Sequence, residues 1–89
     1  MLTLLSNQTA NGSGTAQEWS GGWSNFTVTG TFNGATVVLE MSRDGGTTYS
    51  TVATVTAAAD PPNVQLPAGV LVRATLSSAG GSTDLDAVF

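Results

Sequence analysis

Apolar residues recur at every second position over short runs, and Gly or Asn breaks these runs at intervals of about 8–12 residues. That alternation is the period of half-buried strands, and breaks at that spacing mark a sandwich or barrel. No long stretch carries apolar residues at helical spacing. A short first strand is expected at Leu2 to Leu5, followed by a polar, glycine-rich loop or arm from Asn7 to Gly22. A longer strand is expected from Trp23 to Phe32, with Phe26, Val28 and Phe32 on one face and Trp23, Asn25, Thr27 and Thr29 on the other. Asn33-Gly34 follows, and such a pair between β-rich runs predicts a type I′ hairpin, whose two central residues both need positive φ. Thr36 to Ser42 presents Val37, Leu39 and Met41 on one face, and Asp44-Gly45-Gly46 makes the next turn. Further strands are expected at Thr48 to Thr56, Val64 to Leu66, Val70 to Ser77 and Thr83 to Phe89. Pro61 and Pro62 stiffen a loop from Ala57 to Asn63, since proline cannot donate to a ladder. Pro67-Ala68-Gly69 and Ala79-Gly80-Gly81 supply turns. The expectation is an all-β chain: a compact, hairpin-rich antiparallel β-sandwich of about six or seven strands without substantial helix. Residues 1–22 form a strand and arm, and residues 23–89 the sandwich.

Length sharpens this. A chain of 89 residues allows one domain, and a domain this small gains from a disulfide, a metal or a partner subunit. Cysteine and histidine are both absent, which removes disulfides and the usual soft-metal sites. Self-association is then the expected supplement, favoured also by a short aromatic set of Trp19, Trp23, Phe26, Phe32, Tyr49 and Phe89. Charge is sparse: Arg43 and Arg73 are the only cations, and the net charge is −4. Two cations cannot neutralise a phosphate backbone, so neither nucleic acid nor an anionic membrane surface is an expected partner. The apolar run Met1 to Leu5 lacks a basic leader and is too short for a signal core or a membrane span.

The same composition limits the chemistry. Serine is abundant, but there is no histidine base, no cysteine nucleophile and no lysine for a Schiff base. Asp84 and Asp86 share one strand face, and Glu40 and Asp44 lie near a turn; such pairs can serve a glycosidase or hold calcium. Acids on the solvated face of an edge strand are also ordinary protection against edge pairing. The expectation is a non-enzymatic chain with no cofactor and no metal. Trp19 and Trp23 flank Ser20-Gly21-Gly22 and are the expected interface residues, with a cap on the core and a sugar-stacking platform as the other roles open to them.

Ser42-Arg43-Asp44-Gly45-Gly46-Thr47-Thr48-Tyr49 reads S-x-D-x-G-x-T-aromatic and resembles the Asp-box hairpin, a structural turn in which a buried Asp accepts backbone N–H groups. Sialidases carry several copies on propeller blades; one copy in so short a chain implies no sialidase activity. The run Gly30-Thr31-Phe32-Asn33-Gly34-Ala35-Thr36-Val37-Val38-Leu39-Glu40, the box, Leu66-Pro67-Ala68-Gly69 and the Val/Arg strand after it together resemble small virion structural proteins of tailed bacteriophages. The resemblance spans roughly residues 19 to 89. It implies location in the virion, assembled in the host cytoplasm. It also implies an assembly role in either head or tail, and the compact size without a coiled coil or larger attachment domain favours a capsid cement or decoration protein: a homo-oligomer, a trimer above all, that bridges subunits of the major capsid protein. A small tail, fibre or neck component and a carbohydrate-binding module are the alternative expectations.

Overall fold

The protein is described here by a computed structural model covering residues 2–56 and 62–89. It is an all-β sandwich of antiparallel strands, with no helix among the described residues. The strands are β1 (Thr3–Gln8), β2 (Gly12–Ser13), β3 (Gln17–Glu18), β4 (Gly22–Asn25), β5 (Thr27–Thr31), β6 (Thr36–Ser42), β7 (Ser50–Val55), β8 (Asn63–Leu66), β9 (Leu71–Ser77) and β10 (Asp84–Val88). One sheet has the order β1-β10-β5. The second has the order β2-β9-β6-β7, with β3 also on the β9 edge. β4 and β8 form a separate two-stranded ribbon. Of the expected loop at Ala57 to Asn63, residues 57–61 lie outside the described part.

The apolar alternation places the core. Val72, Ala74 and Leu76 of β9 and Val37 and Leu39 of β6 line the inner face of one sheet. Val28 of β5 and Leu85 and Ala87 of β10 line the other, with Phe89 just beyond β10. Both Leu4 and Leu5 are buried, although consecutive side chains on a regular strand point to opposite faces. The ladder between β1 and β10 shifts register on either side of Leu5, and such an irregularity turns two neighbours the same way. The Cα trace is only 17 Å across its thinnest axis, which suits two layers about 10 Å apart.

Two expectations change. Asn33 (φ 47°) and Gly34 (φ 84°) do adopt the turn, closed by Ala35 N–H donating to Phe32 O at 2.9 Å. The turn is not a hairpin, however: β5 pairs with β10, while β6 pairs with β7 and β9. It carries the chain from one sheet to the other, as Ala79-Gly80-Gly81 does between β9 and β10. Among the described strands, β6 and β7 alone are neighbours in both sequence and ladder. The physical reason is that turn residues specify backbone dihedrals, whereas the partner of a strand is chosen by which faces must be buried together. The run Trp23 to Phe32 is likewise two strands: β4 pairs with β8, β5 pairs with β10, and the change falls at the fully buried Phe26.

The segment expected as an arm is laid along the sandwich. β2 and β3 run beside β9, and Gly14 N–H donates to Ala74 O at 2.9 Å. On its other side the segment meets β1: the Gln17 side-chain amide donates to Thr3 O, and a Cβ on Gly14 would collide with the Leu4 carbonyl oxygen. Residues 12–18 thus lace β9 of one sheet to β1 of the other, and Gly14 permits the close approach.

Gly14→Ala is therefore expected to lower the free energy of unfolding by about 1–3 kcal/mol, the cost of forcing a methyl group against fixed backbone. Gly81→Ala, where a Cβ meets open space, is expected to change stability by no more than about 1 kcal/mol, in the stabilising direction. Urea denaturation of the two variants measures this, and equal midpoints would refute the lacing.

Candidate functional site on the outer ribbon face

The turn between β6 and β7 has the hydrogen bonds its sequence requires. The Ser42 hydroxyl donates to Asp44 Oδ1 at 2.7 Å, and the same oxygen accepts from Thr48 N–H at 2.9 Å and Thr47 N–H at 3.2 Å. Gly46 N–H donates to Ser42 Oγ at 2.9 Å, and Gly45 stands at the exposed tip. The buried member is Ser42, not Asp44, which is exposed. A carboxylate at a tight turn reaches backbone N–H groups without leaving solvent, so the box needs no buried acid. These bonds, first that from Ser42 and then that from Thr48, lower the Asp44 pKa from 3.8 to about 2. The Tyr49 ring lies under the Arg73 guanidinium, 3.7 Å from its centroid, and Arg73 Nε donates to Glu40 Oε1 at 3.0 Å. Glu40 also accepts from the Thr75 hydroxyl at 2.6 Å. Both acids of this region are thus engaged in holding strands and a turn.

Asp84 and Asp86 face outward from β10, which is the central strand of its sheet and not the expected edge, so they guard no edge, and Asp86 Oδ1 accepts from Asn7 N–H at 2.8 Å. No three potential metal-ligating side chains converge among the described residues.

The two tryptophans part company. Trp19 is buried at one end of the core, its ring centroid 4.6 Å from that of Phe89. Its backbone continues the β3–β9 pairing, donating to Val70 O and accepting from Gly69 N–H, each at 2.9 Å. The expected interface role does not suit Trp19, because the core already takes its ring. The indole Nε1 is buried without a hydrogen-bond partner among the described residues. Trp23 is 68% exposed and is the one large hydrophobic on the surface among the described residues.

Register gives Trp23 its neighbours. It stands directly across from Gln65, and Asn25 stands across from Asn63. Val64 and Leu66 of β8 turn into the core, which leaves Asn63 and Gln65 on the outer face with Trp23 and Asn25. Asn25 Nδ2 donates to Asn63 Oδ1. Gln65 also lines a shallow concavity of roughly 420 Å³ with Gly22, Arg43, Leu66, Pro67 and Ala68. The outer ribbon face is thus an exposed indole beside three carboxamides, with one guanidinium nearby. Sequence reading found Trp23 but missed Asn63 and Gln65. Their alternation with Val64 and Leu66 marked them as outward-facing, but only the β4–β8 pairing brings them to Trp23. Comparison with family models, with curated proteins and with solved structures finds no match for this chain.

The depressed pKa of Asp44 makes a signed prediction. A carboxyl whose folded pKa lies below its unfolded one stabilises the fold fully above the unfolded value, and that stabilisation is lost as pH falls toward the folded one. The stability difference between the wild type and Asp44→Asn is expected to stay level from neutral pH to about 5 and to shrink between about 4 and about 2. Chemical denaturation over a pH series reads this, and a difference that stays constant down to the acid end would remove the turn's charge from the account.

Proposed function

We propose that this chain is a non-enzymatic structural protein of a tailed-phage virion, a cement protein that self-associates and bridges subunits of the major capsid protein. The observation that carries the self-associating reading is the charge-free character of β5 and β7 and of the ribbon strands β4 and β8. β5 and β7 are sheet edges, and neither they nor β4 and β8 hold a single charged residue. The chain has no lysine at all, although lysine is the commonest guard against edge-to-edge pairing. β7 is partly guarded by the bulge that leaves Val52 unpaired. β1 is irregular in register, and β2 and β3 have two residues each. β5 has neither bulge nor proline and holds an unbroken register with β10. An edge of this kind invites a strand from a further copy. A trimer needs a heterologous contact, β5 of one copy against a different edge of the next, which closes on itself after three copies. The assignment to a phage particle is supported by the resemblance of the turn and strand motifs.

Light scattering is expected to give a homo-oligomer, with a trimer as the favoured state. Thr29→Lys, at an exposed position of β5, is expected to shift it to monomer and to lower the melting temperature by the stabilisation the lost contact supplied, with the β-sheet circular dichroism of the folded chain retained. Counting copies in purified particles then places the protein. Hundreds of copies fit the capsid shell, and a small multiple of three or six fits a tail or neck. A monomer at every concentration would sink the self-association.

A further inference from the structure

The outer ribbon face has a chemistry different from that of the sheet edges. We infer that Trp23, Asn25, Asn63 and Gln65 form a binding platform for neutral saccharide chains. Trp23 presents a flat, electron-rich ring to solvent, and the C–H face of a pyranose carries the complementary partial charge. The flanking groups supply what sugar hydroxyls need. Asn25 and Asn63 bond to each other through one donor and one acceptor, which orients both amides. Among the described residues, Asn25 keeps its carbonyl oxygen free to accept, and Asn63 keeps its NH₂ free to donate. If the two amides exchange roles, the same pair of free functions remains. A donor and an acceptor side by side match adjacent ring hydroxyls, each of which can give and take one bond. Gln65, directly across from Trp23, adds a second donor–acceptor group, and it opens onto the concavity that Arg43 lines.

The alternative occupant is a protein surface, and the composition argues against it. A protein hot spot seats its tryptophan among other apolar groups that exclude water. Here Trp23 is the single exposed large hydrophobic among the described residues, and its cross-strand neighbours are exposed amides. An acidic polymer is disfavoured as well, because Arg43 is the one cation near the face. One stacked ring of about a dozen heavy atoms on an open surface sets the affinity near the millimolar range. Several copies in one assembly raise it by avidity.

The test uses the intact chain and its own fluorescence. Trp19 is buried, so the emission that acrylamide quenches reports Trp23. Maltotriose, cellotriose and chitotriose are titrated to tens of millimolar, with trigalacturonate as the acidic control. At least one neutral trisaccharide is expected to protect Trp23 from quenching with a saturable curve. Gln65→Ala and Asn63→Ala are each expected to weaken that response about fivefold, the loss of one hydrogen bond. Saturation-transfer NMR with Trp23→Ala is expected to show no contact. All three positions are exposed, and unchanged melting curves verify that the variants fold. The inference is overturned if no neutral trisaccharide protects Trp23, or if Trp23→Ala still contacts the sugar. It is equally overturned if the response is confined to trigalacturonate and vanishes in Arg43→Gln, or if protection grows with protein concentration alone, which would put a second copy on the face.

Discussion

The fold depends on one constraint: the alternating apolar sets of β6 and β9 on one side, and of β5 and β10 on the other, must cover each other. No disulfide cross-links the two sheets, and no metal-ligating cluster stands among the described residues. Each buried Leu or Phe contributes about 1.5–3 kcal/mol relative to exposure, and the whole set must offset the ordering of the chain. Phe26, Leu39, Leu76, Leu85 and Phe89 are the largest fully buried apolar residues, and small residues at Ala35, Ala74 and Ala87 let the layers come close. Several other features help to keep these faces opposed.

The glycine-rich stretch near the N-terminus is one such feature. Its polarity suits a loop, and its two-residue strands are too short to organise a sheet. It holds because β9 offers carbonyls along one edge and β1 lies within reach on the other side. Trp19 then ends the lace by entering the core against Phe89, so one segment closes an edge and caps an end of the sandwich. Removing residues 1–18 would therefore take away β1 and the lace together, and its effects would belong to folding before they belonged to any partner.

The scarcity of charge shapes the surface in the same economical way. Arg73 and Glu40 pair across β9 and β6 and hold Tyr49, while Asp44 and Asp86 accept backbone N–H groups. Little charge is left to guard strand edges or to attract ions. Among the described residues the remaining surface is rich in Thr, Ser, Asn and Gln, with one exposed indole among three amides. Such a surface works by backbone pairing and by many weak polar contacts, both of which gain from repetition in an assembly.

By itself the sequence determined the fold class, the inward sets of β6, β9 and β10, and the dihedrals of the turns at Asn33-Gly34 and Asp44 to Thr48. These are local properties: a period of two, residues that tolerate positive φ, and a carboxylate within reach of its own turn. Tertiary structure alone decided which strands pair. That decision turned the Asn33-Gly34 hairpin into a crossing between sheets, divided Trp23 to Phe32 between two partners, and drew the glycine-rich arm into the sandwich. It also separated two tryptophans only four positions apart in the chain, placing one in the core and the other on the ribbon beside Asn63 and Gln65. No local pattern distinguishes those two rings, because burial depends on what arrives from distant parts of the chain. For Trp19 that was Phe89 and Val70; for Trp23 it was a polar strand whose apolar residues had already turned inward.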